Sequence, residues 1–165
     1  MNACRAFVTR FRGVKSAASP GDALAGQNGW TELAGCPLYT DDDFPRSVQQ
    51  FEDIMAKTPE LDAFIPTGGF PQFVPDANRA AVEKYKDKIA SGALALVVAD
   101  TLPVQIDQMK EGLSLGQVGQ RPFEMGYMTM KAFADMKAGK PAPTDPTYPG
   151  LDVCTPETAD TCIAK

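Results

Sequence analysis

Apolar and polar positions follow two different rhythms along this chain, and the rhythm switches every ten to twenty residues. Short continuous apolar runs at 61–66 ("LDAFIP"), 94–99 ("LALVVA") and 113–119 predict buried strands. Between them lie segments of helical period. "TDDDFPRSVQQFEDIMAKTP" opens with acids suited to a helix start and sets Phe44, Val48, Phe51 and Met55 on one stripe. "PDANRAAVEKYKDKIASG" reads as a second helix with Gly92 as its stop, and "LPVQIDQMKEG" as a third, from Pro103 to Gly112, with Leu102, Ile106 and Met109 as its face. "RPFEMGYMTMKAFADMKAGK" predicts a methionine-rich amphipathic helix over 122–138, followed by a proline-rich connector at 141–149. Nearer the start, Phe7, Phe11, Val14 and Ala18 recur at helical spacing and predict a helix over 3–18. Arg10 borders its apolar face, whereas Arg5 and Arg12 point nearly opposite. A Gly-, Pro- and Asn-rich loop at 19–29 then leads to a strand at about 31–38.

Strands alternating with helices at this spacing predict right-handed βαβ units, hence an α/β fold of three layers, αβα, around a mostly parallel sheet. The 165 residues suffice for one such unit. Ligands of open parallel sheets sit beyond the carboxyl ends of the strands. Asp100, the Gly68–Gly69 pair and Gln120 fall there. A carboxylate at Asp100 beside a guanidinium at Arg10 offers acceptors and a donor fork to a neutral polyol, and Phe70, Phe73 and Trp30 offer rings for the apolar face of a sugar. Each of these residues also has an ordinary structural role. Asp100 suits a cap for the 102–111 helix, Gln120 a hinge position, Arg10 a surface ion pair, and a phenylalanine at a strand end the core.

Composition narrows the chemistry. The net charge of -5, from sixteen basic and twenty-one acidic residues, leaves no basic stripe for phosphates, so no nucleic acid is expected as partner. Histidine is absent, which removes Ser-His-Asp and Cys-His nucleophile systems and imidazole metal ligands. P-loop, GxGxxG and nucleophile-elbow motifs are missing too, and neither cofactor nor metal is called for. No run is long and apolar enough for a membrane span, and "MNACRAFVTR" lacks a signal-peptide apolar core, so the expectation is a soluble chain. Cys4, Cys36, Cys154 and Cys162 lack CxxC spacing. Cys154 and Cys162 close a short loop, "CTPETADTC", and are the expected disulfide, with Cys4 and Cys36 as a candidate second pair; the alternative is four reduced thiols.

The stretches "DDDFPRSVQQFEDIMAKTPELDAFIPTGG" and "VVADTLPVQIDQMKEGLSLGQVGQRPFEMGY" carry a resemblance. They resemble the C-terminal lobe of type I periplasmic sugar-binding proteins of ABC importers, the ribose-binding class. In that family an Arg on the lobe's first helix, an Asp after an apolar strand and a Gln before Pro-x-x-Met-Gly contact the sugar. Arg10, Asp100 and Gln120 stand at the matching places, with Gly69 and Phe70 on the crevice wall. Many relatives carry Asn-Asp where this chain has Gly68–Gly69, so recognition there passes to backbone amides or to Phe70. The resemblance implies a ligand-binding lobe over 1–120, a hinge-crossing helix over 121–140 that packs on an N-terminal lobe, and a hinge connector and tail over 141–165. Such a partial chain implies a small carbohydrate or polyol as ligand, a membrane permease as partner, a periplasmic location, no catalysis, and self-association through the uncovered helix. Two other readings stand beside it: the effector domain of a sugar-responsive repressor, and an α/β enzyme fragment with Asp100 as general base.

Overall fold

A computed structural model describes residues 29–163 in full and Ala3–Phe7 as backbone. Among the described residues six strands form one sheet: β1 (Ala3–Phe7), β2 (Leu38–Tyr39), β3 (Ala63–Pro66), β4 (Ala95–Ala99), β5 (Gly116–Gly119) and β6 (Asp152–Cys154), in the order β2-β1-β3-β4-β5-β6. The centre β3-β4-β5 is parallel, with Phe64 opposite Leu96 and Val98 opposite Gln117. Antiparallel strands flank it, β1 beside β3 on one side and β6 beside β5 on the other. The class is therefore α/β with helices against a sheet whose centre is parallel.

Among the described residues five α-helices follow in order: α1 (Phe44–Lys57), α2 (Pro75–Val82), α3 (Lys86–Ala90), α4 (Pro103–Lys110) and α5 (Pro122–Lys137). α1 starts where the acids predicted, since the Asp43 side chain accepts from the Arg46 N–H at 2.9 Å and closes the first turn. The sheet residues Phe64, Leu96 and Val98 pack in one core with Val48, Phe51 and Met55 of α1, Ala81 and Val82 of α2 and Ile89 of α3. Phe64 is fully buried and meets Phe51 edge-on at 5.1 Å. Ala63 and Ala95, alternate to Phe64 and Leu96, form a smaller cluster with Trp30. α4 seats Ile106 and Met109 against Cys154 and Ala159, and the Cys154–Cys162 disulfide fixes the tail there.

Four expectations change on contact with the structure. The chain over Ala3–Phe7 is a strand, because its backbone pairs with both β2 and β3; the remainder of the helix expected over 3–18, with Arg10, lies outside the described residues. The strand expected at 31–38 shrinks to Leu38–Tyr39, since a turn with Gly35 at φ +89 interrupts it. Residues 75–92 form two short helices joined by a 3-10 turn at Glu83–Tyr85, not one helix. Trp30 is a core residue against Ala63 and Ala95. The expected Cys4–Cys36 pair involves a side chain outside the described residues, although Cys4 does lie opposite Leu38, two positions from Cys36.

α5 differs from the rest, for none of its residues is buried. Phe123, Tyr127, Met130 and Phe133 are exposed, Phe123 to 81%. A groove of about 690 Å3 runs between this helix and the connector, lined by Met125, Met136, Pro141 and Pro149 among others.

Candidate functional site

Because β3, β4 and β5 run parallel, the residues that follow them emerge at one edge of the sheet. Gly69 follows β3, Asp100 follows β4 and Gln120 follows β5. Their side chains and backbone do meet. One carboxylate oxygen of Asp100 accepts from the Gly69 N–H at 3.1 Å, and the other accepts from Gln120 Nε2 at 3.1 Å. A carboxylate has about four lone-pair sites, so two remain for a ligand's hydroxyl groups. The capping role is not the one seen: α4 begins at Pro103, and its Leu102 N–H is closed by Gln105 Oε1 at 3.1 Å.

Asp100 holds φ at +73, the left-handed region that side chains seldom enter. Its carboxylate bridges the strand ends through its bonds to Gly69 and Gln120. Beside it opens a cavity of about 440 Å3, lined by Asp100, Thr101, Gln120, Arg121, Phe123 and Asp152. Arg121 reaches over this cavity to Asp152, with Nε and a terminal nitrogen each 2.8 Å from the same carboxylate oxygen. Asp152 is there because β6 pairs antiparallel with β5 and sets Asp152 opposite Gly119. The ion pair thus joins the chain leaving β5 to the chain returning into β6.

Phe70 belongs to a ring cluster. It stacks on Phe44 at 5.5 Å and meets Phe73 edge-on at 6.2 Å, while Phe44 meets Phe73 at 5.4 Å. The two glycines before it are required by close approach. A Cβ on Gly68 would lie 2.2 Å from the Phe70 ring, and one on Gly69 would lie 2.6 Å from Gln105 Nε2 and 2.8 Å from Phe73. The Phe70 ring therefore occupies the space that a side chain at 68 would fill.

Of the five residues expected at the site, the structure brings Gly69, Asp100 and Gln120 into direct contact and sets Phe70 next to them; Arg10 lies outside the described residues. Sequence reading missed what lies beneath. Gln72, Gln105, Gln108 and Gln117 are all buried. The one signal for them was a glutamine in the middle of an otherwise apolar strand.

Comparison with known proteins places this architecture. A family model described as a periplasmic binding protein domain matches residues 6–141. The chain belongs to that family. Among solved structures it is similar to GanP, a glucose-galactose binding protein from Geobacillus stearothermophilus, at 25% identity and a TM-score of 0.58, over 73% of this chain and 40% of that one. It is also similar to AraP, an arabinose binding protein of the same organism, at 20% identity, TM-score 0.58 and coverage of 76% and 43%. An ABC transporter solute binding protein from Agrobacterium vitis with bound D-fucose shares 16% identity and a TM-score of 0.63, over 81% of this chain and 43% of that one. The last two likenesses speak for the fold. The chain spans about two fifths of the length of these structures. Among curated proteins none matches it.

Proposed function

We propose that this chain is the ligand-binding lobe of a solute-binding protein of an ABC importer, which takes a small sugar or polyol without chemistry. The observation that carries the reading is the Asp100 carboxylate, held at the carboxyl edge by Gly69 and Gln120 with lone pairs to spare. Such an acceptor suits the hydroxyl groups of a carbohydrate, and Phe70 with its ring neighbours suits an apolar sugar face. Arg10 is the proposed donor fork opposite Asp100. Support comes also from family membership and from relatives that bind glucose and galactose, arabinose or D-fucose. A non-catalytic role is supported by the family and by relatives that are named as sugar-binding proteins.

On this reading residues 1–120 form the lobe, 121–140 the helix crossing to an N-terminal lobe, and 141–165 the hinge connector and tail. The location is the periplasm, and the whole receptor, closed on its ligand, presents its surface to a membrane permease. One lobe supplies only part of the ligand's hydrogen bonds, and each one lost to a charged group forgoes about 1.5–3 kcal/mol. Each 1.4 kcal/mol is about tenfold in affinity. The 165-residue chain alone therefore binds sugars no better than about millimolar, and its uncovered α5 drives self-association. Titration of the isotope-labelled chain with a pentose and hexose panel, beside sedimentation, tests this. Expected are small shifts confined to Gly69, Asp100 and Gln120, lost in Asp100→Ala, from a chain that associates. Tight binding by a monodisperse monomer, or sugar-dependent shifts only elsewhere, overturns the reading.

A further inference from the structure

Asp100 is useful only if its left-handed backbone is held, and the strand end alone does not hold it. The backbone supplies one bond, from the Asp100 N–H to the Val118 carbonyl at 2.9 Å. The rest comes from two buried amides. Gln105 Nε2 donates to the Ala99 carbonyl at 2.8 Å and to Gln72 Oε1 at 3.0 Å, while its oxygen accepts from the Leu102 N–H at 3.1 Å. It thus clasps the chain on both sides of Asp100. The Gln117 amide is satisfied when its nitrogen faces the carbonyls of Val98 at 3.0 Å and Asp100 at 3.2 Å and its oxygen accepts from Ser114 Oγ at 3.1 Å.

Gln72, the third member, sits in the turn Phe70–Phe73 that follows Gly69. Each segment at the site edge therefore has its own amide in one buried cluster: Gln72 behind Gly69 and Phe70, Gln105 behind Asp100, and Gln117 on the strand that Gln120 follows. All three are at most 1% exposed. A buried amide with a missing partner is costly, so three interlocked amides select one relative placement of three loops that are far apart in sequence.

We propose that Gln105 and Gln117 are positioning residues for Asp100, fixing its carboxylate against Gly69 and Gln120. Its significance for ligand binding rests on the lobe reading above, but the geometry is testable without a ligand. The probes are two signals of the labelled 165-residue chain, the Gly69 backbone amide and the Gln120 side-chain amide, both of which report contact with the carboxylate. Asp100→Ala supplies their positions when that contact is absent. In Gln105→Leu and Gln117→Leu both signals move most of the way to those positions, and Gly69 exchange with solvent rises about tenfold relative to the β4 amides. Met55→Ala, a core change in α1 outside the cluster, leaves both signals in place. Should the leucine variants not fold, Gln105→Glu carries the same readout, because it keeps the acceptor for Leu102 and loses the donor for Ala99. Signals that stay at their original positions in the folded glutamine variants, or that move as far in Met55→Ala, overturn the proposal. Failure of sugar titration with these signals still coupled would instead count against the ligand reading.

Discussion

The sheet centre and helix α5 are built from the same kinds of side chain and meet opposite fates. Phe64 in β3 has no exposed surface, whereas Phe133 in α5 is 57% exposed. Both lie in segments whose apolar periodicity predicts a buried face. The difference lies in topology: α1 to α3 fold back on the sheet core, while α5 lies between β5 and a strand, β6, that returns antiparallel beside it, and meets only the connector along a groove. Periodicity states that a helix has a face to bury. What covers it depends on where the next strand goes.

Substitution should separate the two regions sharply. Phe64→Ala removes a fully buried ring and should cost about 3–5 kcal/mol in denaturant unfolding, while Phe133→Ala, measured at concentrations low enough to keep the chain monomeric, should change its stability by about 0.5 kcal/mol or less. Equal losses at the two positions in the monomer would mean that α5 is covered within the chain itself. Next in size is the tail. Breaking the Cys154–Cys162 bond, eight residues apart in sequence, by paired serine substitution should cost about 2.5 kcal/mol on the loop-entropy model, read as a drop in unfolding free energy. Met109 and Ala159 would lose their anchor, while α1 should be untouched.

Of similar size is the tie between the chain leaving β5 and β6. Arg121→Ala leaves the nearly buried Asp152 without its cation and should cost about 1.5–3 kcal/mol, whereas Asp152→Ala, which leaves a partly exposed guanidinium, should cost less. The reverse order would mean that the arginine is the more deeply seated partner. The weakest effect belongs to the surface. The hydrogen bond from Arg79 holds the Glu111 carboxyl below the ordinary value of 4.5 against an opposing desolvation, with smaller help from the charges of Arg79 and Lys86. A carboxyl depressed on folding stabilises above its unfolded pKa, and that contribution fades as pH falls from about 4.5 through the folded value. Stability curves of the native chain and Arg79→Ala should therefore differ slightly at neutral pH and converge in acid.

The fold's central parts were readable because their signals are local. Three apolar runs, the acid-started α1 and Pro103 at the head of α4 each announce an element within ten residues, and from parallel strands the shared edge of Gly69, Asp100 and Gln120 follows. Where a long-range partner decides, the reading failed. Ala3–Phe7 has helical spacing yet lies as a strand, since β3 offers an edge more than fifty positions later. The inner face of α4 was expected to be apolar. Ile106 and Met109 are buried as that face requires, but Leu102 is exposed, and Gln105 and Gln108 are buried as well, because their amides find Gln72 and Asn78 in other segments. No periodicity scale distinguishes a buried glutamine that has partners from an exposed one that has water.

The ring of Phe70 over Gly68 has a consequence for how this site can change. A side chain added at 68 meets the ring at 2.2 Å while Phe70 is present, and removing the ring alone leaves two glycines bare beside Asp100. The two positions are coupled, so their single changes should be poor and their joint change tolerated. A route from this arrangement to one bearing a polar side chain at 68 therefore runs through position 70 first. Descendants of this sequence, natural or made in a library, inherit an order of events as well as a set of residues.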